Sequence, residues 1–200
     1  MKSLSKLAIV TAAAALGLLA INVNAQAVAH GAFARRNANG GITAGHGTAV
    51  RGANGGVAAR GRITTTNGRG QGATASGGAF RAANGAQGFR RGSTTWNNGN
   101  VAHQGSLRAS GPNGSIQSSG SSQRSANWQF SGSRSTTATG ANGGTYQGST
   151  SFQNGSATHT TDATNKNGDT YQGETTYTKG QGVTHTGSCT NASGATIPCN

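Results

Sequence analysis

From Thr170 the chain reads TYQGETTYT, and its positions alternate with a period of two. Tyr171, Gly173, Thr175 and Tyr177 fall on one face of such a segment, and Thr170, Gln172, Glu174 and Thr176 on the other. Tyr146, Gly148, Thr150 and Phe152 repeat the first face, and Val183, His185, Gly187 and Cys189 continue it. Alternation built from Thr, Tyr, Phe and Val is strand chemistry, because successive side chains of an extended chain point to opposite faces. No segment beyond residue 25 carries the 3.6-residue apolar period of an amphipathic helix. The pattern predicts an all-β chain in which one face carries a ladder of like side chains.

The punctuation between these segments is as regular as the segments themselves. Asn-Gly occurs at Asn39, Asn54, Asn67, Asn84, Asn98, Asn113, Asn142, Asn154 and Asn167, in steps of 12 to 17 residues with one step of 29. The long step spans two units whose middle turn is degraded near Ala126-Asn127, and the rhythm continues through Lys179-Gly180-Gln181-Gly182 and Asn191-Ala192-Ser193-Gly194. Asn-Gly is a strong hairpin signal, because a type I′ turn needs positive φ at both central residues. Such turns leave strands of about 6–10 residues. Asn84, Asn113, Asn142, Asn167 and Asn191 also mark a longer period of 24 to 29 residues, which is one hairpin per copy. The expected architecture is a repetitive antiparallel β-hairpin meander or β-roll, with a β-solenoid as the alternative.

Composition changes this picture in one respect. Gly, Ser, Thr, Asn and Ala dominate, and large apolar residues are too sparse to bury much area per ordered residue. Stacked repeats avoid that difficulty, since each borrows its neighbour's backbone hydrogen bonds. Residues 26–92 read as a Gly/Ala/Arg-rich low-complexity region with weak β repeats, in which disorder competes with strand. Residues 93–200 read as the β-hairpin repeat region, where aromatics accumulate and order should improve. The composition resembles that of curli-type secreted amyloids, but their regular Ser…Gln…Asn…Gln spacing is absent and no family follows.

Both ends bear on location. Residues 1–25 combine Lys2 and Lys6, an uncharged Leu7–Ile21 run and small residues at Val23-Asn24-Ala25, the plan of a secretory signal peptide. That run is shorter than the roughly 18–20 apolar residues of a spanning helix, and no second one follows, so no membrane span is expected after processing. The expected location is extracellular or periplasmic, and the style of the signal is bacterial. Outside the cytosol, the only two cysteines, Cys189 and Cys199, should close a disulfide across the Asn191–Gly194 turn.

Charge supplies the functional signal. The formal net charge is +13 at pH 7, and twelve arginines lie between Arg35 and Arg134 with no acid among them. Asp162, Asp169 and Glu174 are the only acids, so paired-carboxylate or Ser-His-Asp catalysis has almost nothing to draw on. No enzyme and no cofactor are expected. Arg35, Arg36, Arg51, Arg60, Arg62, Arg69, Arg81, Arg90 and Arg91 are candidate contacts for polyanions, since Arg-Gly elements track phosphates with little sequence preference. For a secreted chain those polyanions are lipopolysaccharide, acidic polysaccharide or extracellular DNA. His103, His159 and His185 occupy matching places in their copies, and His159 with His185 form a weak metal candidate. The expectation is a secreted non-enzymatic β-repeat protein of the bacterial surface, matrix or periplasm, able to form homo-oligomers or fibres through open strand edges. The alternative is a cationic Gly-rich antimicrobial or bacteriocin, although the amphipathic helix of that class is missing.

Overall fold

The computed structural model describes residues 26–38 and 40–199; the signal peptide expected over residues 1–25 lies outside the described residues. The strands are β1 (Ala27–Arg36), β2 (Ile42–Arg51), β3 (Val57–Thr66), β4 (Gly72–Arg81), β5 (Gln87–Asn97), β6 (Asn100–Gly111), β7 (Gly114–Arg124), β8 (Phe130–Gly140), β9 (Thr145–Gln153), β10 (Ser156–Thr164), β11 (Thr170–Thr178), β12 (Gly182–Thr190) and β13 (Thr196–Ile197). They form one sheet in strict sequence order, each strand antiparallel to the next. This is the meander; the solenoid alternative fails because every strand pairs only with its sequence neighbours. The strands of residues 26–92 are as long as those further on, and β5 runs without a break across residue 92. Gly and Ala sacrifice side-chain contacts but leave the backbone ladder intact, so the aromatic-poor half extends the same lattice.

Directly opposed residues share a face, so the register carries each face across the whole sheet. Along one row the order is Val28, Val50, Ala58, Phe80, Gly88, Ala109, Ile116, Ala138, Tyr146, Ala163, Tyr171 and Cys189. The face holding this row also takes all three tyrosines, all five histidines, Trp96, Phe130 and Phe152. We call it the aromatic face. The opposite face is mostly Ser, Thr, Gln, Gly and Ala, with Phe33, Val57, Ile63 and Phe89 among them.

Among the described residues no hydrophobic side chain is buried; the buried side chains are Thr43, Thr74 and Ser118, and Gly41, Gly45 and Gly148 are buried beside them. A single sheet layer cannot bury a core, so other contacts must hold the side chains. Hydroxyls pair across strands at Thr64–Thr74 (2.9 Å), Ser118–Thr136 (2.8 Å), Ser149–Thr160 (2.7 Å) and Thr170–Thr190 (2.6 Å). Such pairs contribute roughly 0.2–1 kcal/mol each. Aromatic rings occupy the space over glycines where a Cβ would stand. Phe33 covers Gly45, Phe80 covers Gly88, Trp96 covers Gly72 and Phe152 covers Gly132, and in each case the two residues are directly opposed. Tyr146 and Tyr171 instead lie along their own strands, over Gly148 and Gly173. The repeated Thr-Tyr-Gln-Gly thus has a physical reason: the ring needs a position without a Cβ two residues on.

The turns correct the sequence expectation. Only Asn98-Gly99 and Asn154-Gly155 are two-residue turns with both φ values positive (48° and 82°, 47° and 94°), as type I′ requires. Most others are three-residue turns with a bulge. In the frames starting at Gly52, Ala82, Ser125, Gly140, Asn165 and Asn191, the fourth residue's N–H donates to the first residue's carbonyl at 2.9–3.1 Å. Five of these fourth residues are Gly55, Gly85, Gly143, Gly168 and Gly194, at φ 80° to 88°, and Gly40 takes the same role at φ 76°. Asn-Gly therefore serves a turn with one left-handed residue, and glycine supplies it. In the Ser125 frame that position is Trp128, at φ 65°. A non-glycine residue there costs roughly 1–2 kcal/mol.

Turns alternate between the two ends of the sheet, which explains the longer sequence period. The turns bearing Asn84, Asn113, Asn142, Asn167 and Asn191 all lie at one end. Beyond the last of them, β13 pairs Thr196 and Ile197 with Thr190 and Cys189, and a disulfide joins Cys189 to Cys199 with Cα atoms 5.4 Å apart. Among the described residues no helix is long and apolar enough to cross a membrane.

Candidate polyanion interface

The arginines divide by parity. Arg36, Arg60, Arg62, Arg90, Arg124 and Arg134 lie on the aromatic face; Arg35, Arg51, Arg81, Arg91 and Arg108 lie on the other; Arg69 sits in the β3–β4 turn. The acids follow a different rule. Asp162 and Glu174 lie on the opposite face and Asp169 in the β10–β11 turn. The aromatic face thus carries six arginines and no acid among the described residues. Sequence alternation separates the faces within one strand, but only the register matches them from strand to strand.

A shallow trough crosses the middle of that face. Arg60, Arg62, Arg90 and Arg134 stand around it with His46 and His103, and its floor is Gly92, Gly105, Gly120 and Ser118. The three glycines are consecutive in one row, Gly92 opposite Gly105 and Gly105 opposite Gly120, so the sheet surface is lowest there. Arg60 and Arg62 are two residues apart on β3, or about 6.6 Å along the strand, and Arg90 stands two strands away, or about 10 Å. One arginine is already oriented: Arg134 donates from Nε to Ser118 Oγ at 2.9 Å, and Ser118 is only 3% exposed. On the other face Arg91 donates from Nε to Ser106 Oγ at 3.1 Å. The candidates Arg60, Arg62 and Arg90 are therefore brought together, whereas Arg35, Arg51, Arg81 and Arg91 are turned away from them.

Histidine placement has its own regularity. Nδ1 of His103, His159 and His185 meets the hydroxyl of Thr94, Thr150 and Thr175 on a neighbouring strand, each at 2.8 Å. His30 does the same with Thr48 at 3.2 Å. His159 and His185 are separated by one whole strand, since His159 opposes Thr175 and Thr175 opposes His185. Their second ring nitrogens face Thr161 at 3.1 Å and Tyr171 at 3.2 Å. No group of three metal-ligating side chains occurs among the described residues. Sequence reading missed His30 and His46, whose strands lack the Asn-Gly-x-Val-x-His spacing; the alternation within β1 and β2 was the signal that could have placed them.

Comparison with protein families, with curated proteins and with solved structures finds no match to this chain.

Proposed function

We propose that this is a secreted, non-enzymatic β-sheet protein that holds polyanions of a bacterial surface, matrix or periplasm. The observation that carries the reading is the trough of Arg60, Arg62, Arg90 and Arg134 on a face without acids. Arginine suits this work because its planar fork stays charged and meets phosphate or carboxylate with two parallel bonds. The shallow, extended floor fits a chain-like anion such as acidic polysaccharide, lipopolysaccharide or DNA, and contains nothing shaped to read base edges. The test is binding of heparin and mixed-sequence DNA across a salt series. Tight binding at low salt, weakening steeply and blind to base sequence, supports the reading; salt-independent binding or none opposes it. Leakage of anionic liposomes at the binding concentration would favour an antimicrobial role instead.

A second element of the reading is self-assembly, supported by the sheet's two open edges. The outer side of β1 has no partner among the described residues, and β13 covers only Cys189 and Thr190 of β12. Twelve full strands make β1 and β12 antiparallel, so the β1 edge of one copy continues the β12 edge of another. Charge favours this pairing over two β1 edges, because strands β1 to β4 carry six arginines, with Arg69 in a turn between them, and no acid, whereas residues 145–199 are nearly neutral. Lysines at Thr184 and Thr186 should abolish concentration-dependent growth in sedimentation, as edge lysines block strand addition. Undiminished growth of that variant would remove the edge model.

A further inference from the structure

We infer that the face turned away from the trough docks a second copy of this chain. The result is a two-layer stack, with the amino-terminal half of each copy on the carboxy-terminal half of the other. The inference goes beyond the polyanion reading and stands whether or not the trough holds one. It also differs from edge growth, since a face-to-face pair is closed and leaves both edges and the aromatic face open. The need for a second layer is physical. One sheet alone buries no hydrophobic side chain among the described residues, and sheet proteins ordinarily gain stability by packing one layer on another.

Charge selects both the face and the arrangement. The aromatic face carries six arginines and no acid, so two such faces repel each other. The opposite face carries both signs, sorted by half. Its β1–β6 part holds Arg35, Arg51, Arg81, Arg91 and Arg108 without an acid. Its β7–β12 part holds Asp162 and Glu174 without a cation, because Arg124 and Arg134 point to the other side and Lys166 and Lys179 lie in turns. On its own sheet Asp162 lies between Gln147 and Gln172, and Glu174 between Thr160 and Thr186, so neither acid has a cation beside it in its row. A twofold axis across the strands would set like halves together. An axis along the strands, between β6 and β7, sets β1 on β12, β2 on β11 and β3 on β10 of the other copy, and so joins opposite charges.

Side-chain size agrees with that axis independently. Rotation about it leaves each row facing its own continuation. Ala29, Ala49, Ala59 and Ala79 form one row on β1–β4, and the same row reaches Gln147, Asp162 and Gln172 on β9–β11. Gly31, Gly47, Gly61 and Gly77 form the next row, which continues to Glu174 on β11. Long side chains of one half thus meet the lowest lanes of the other: Asp162 comes over Ala59, and Glu174 over Gly47. Arg81 of the other copy is then one strand and one row from Asp162, within reach of its flexible side chain. The area suffices as well. Twelve strands about 4.8 Å apart, of about nine residues at 3.4 Å each, make a face of roughly 1,600 Å². Covering half of it on each copy buries about the 1,600 Å² total of a stable interface.

The test is sedimentation velocity of the chain from residue 26 at low salt, where a discrete dimer is expected by about 100 μM. Asp162→Arg should weaken it by about tenfold or more, and Arg81→Asp should do likewise. Combining the two should restore it to within about threefold, because each copy then supplies both reversed charges. Ala59→Gln fills the lane under Asp162 and should break the dimer while leaving the β-sheet spectrum unchanged. Arg108→Gln removes the like charges nearest the axis and should strengthen it. In Arg81→Lys, a zero-length carbodiimide cross-link should join residue 81 to Asp162 of a second molecule, since six strand spacings separate β4 from β10 within one sheet. No discrete dimer, a dimer indifferent to Asp162→Arg and Arg81→Asp, or failure of the combined variant to recover would each overturn the inference.

Discussion

The ring of Tyr171 lies over Gly173, two residues further along the same strand, and a Cβ at Gly173 would collide with it. The same relationship joins Tyr146 to Gly148, and it lets a sheet with no buried hydrophobic side chain keep its aromatics ordered. Glycine substitutions should therefore rank by what their Cβ would meet. The atoms nearest a Cβ at Gly173 belong to the Tyr171 side chain, which can swing away, so Gly173→Ala should cost about 1 kcal/mol. Gly41→Ala meets the backbone of Thr66, which cannot swing, and should cost roughly 2–3 kcal/mol. Gly31 has nothing within 4 Å, so Gly31→Ala should be neutral or slightly stabilising. Urea unfolding followed by circular dichroism orders the three; equal costs would contradict the ring-over-glycine account.

The two kinds of Asn-Gly turn make a second prediction. Asn98 and Asn154 have positive φ, so alanine at either should destabilise by roughly 1–2 kcal/mol while glycine should be tolerated. Asn142 is outside the left-handed region, and Asn142→Ala should cost less than half as much as Asn154→Ala. Paired melting curves of the variants decide it.

That contrast shows what sequence could and could not reveal. The alternation Tyr171-x-Gly173-x-Thr175-x-Tyr177 names a face without any coordinates, and Asn84 to Asn191 mark one end of the sheet by their period. Asn-Gly, however, fits a two-residue turn and a bulged three-residue turn equally well. Only the opposition of Asn97 to Asn100, or of Gly140's amide to Gly144's carbonyl, separates them. The arginine trough was illegible for a related reason. Arg60 and Arg90 are thirty residues apart in sequence, and only the register of β3, β4 and β5 puts them in one row. Trp128 was hidden by its own strain: Ser125-Ala126-Asn127-Trp128-Gln129 aligns with Gly140-Ala141-Asn142-Gly143-Gly144, but a tryptophan does not advertise a left-handed turn.

The C-terminal disulfide should act locally. β13 is two residues long and makes only two register pairs, so it cannot hold itself on β12. Reduction should cost about 2–3 kcal/mol in that hairpin by freeing the loop. Residues 191–199 should then lose hydrogen-exchange protection while β9 to β11 keep theirs. A global loss of protection on reduction would mean that the bridge supports far more of the sheet than its position implies.

The most direct test compares the two faces by their salt dependence. The triple variant Arg60→Gln, Arg62→Gln, Arg90→Gln removes the trough arginines; Arg81→Gln, Arg91→Gln, Arg108→Gln removes as many from the opposite face. Net charge changes equally, so a diffuse charge effect would act alike on both. Heparin affinity measured from low to moderate salt should show the log–log slope falling by about 2–3 for the trough variant, and by less than about 1 for the other. The β-sheet spectrum should be unchanged in both. Equal slopes for the two triples, or a trough variant indistinguishable from the parent, would contradict the claim that this face was built to hold polyanions.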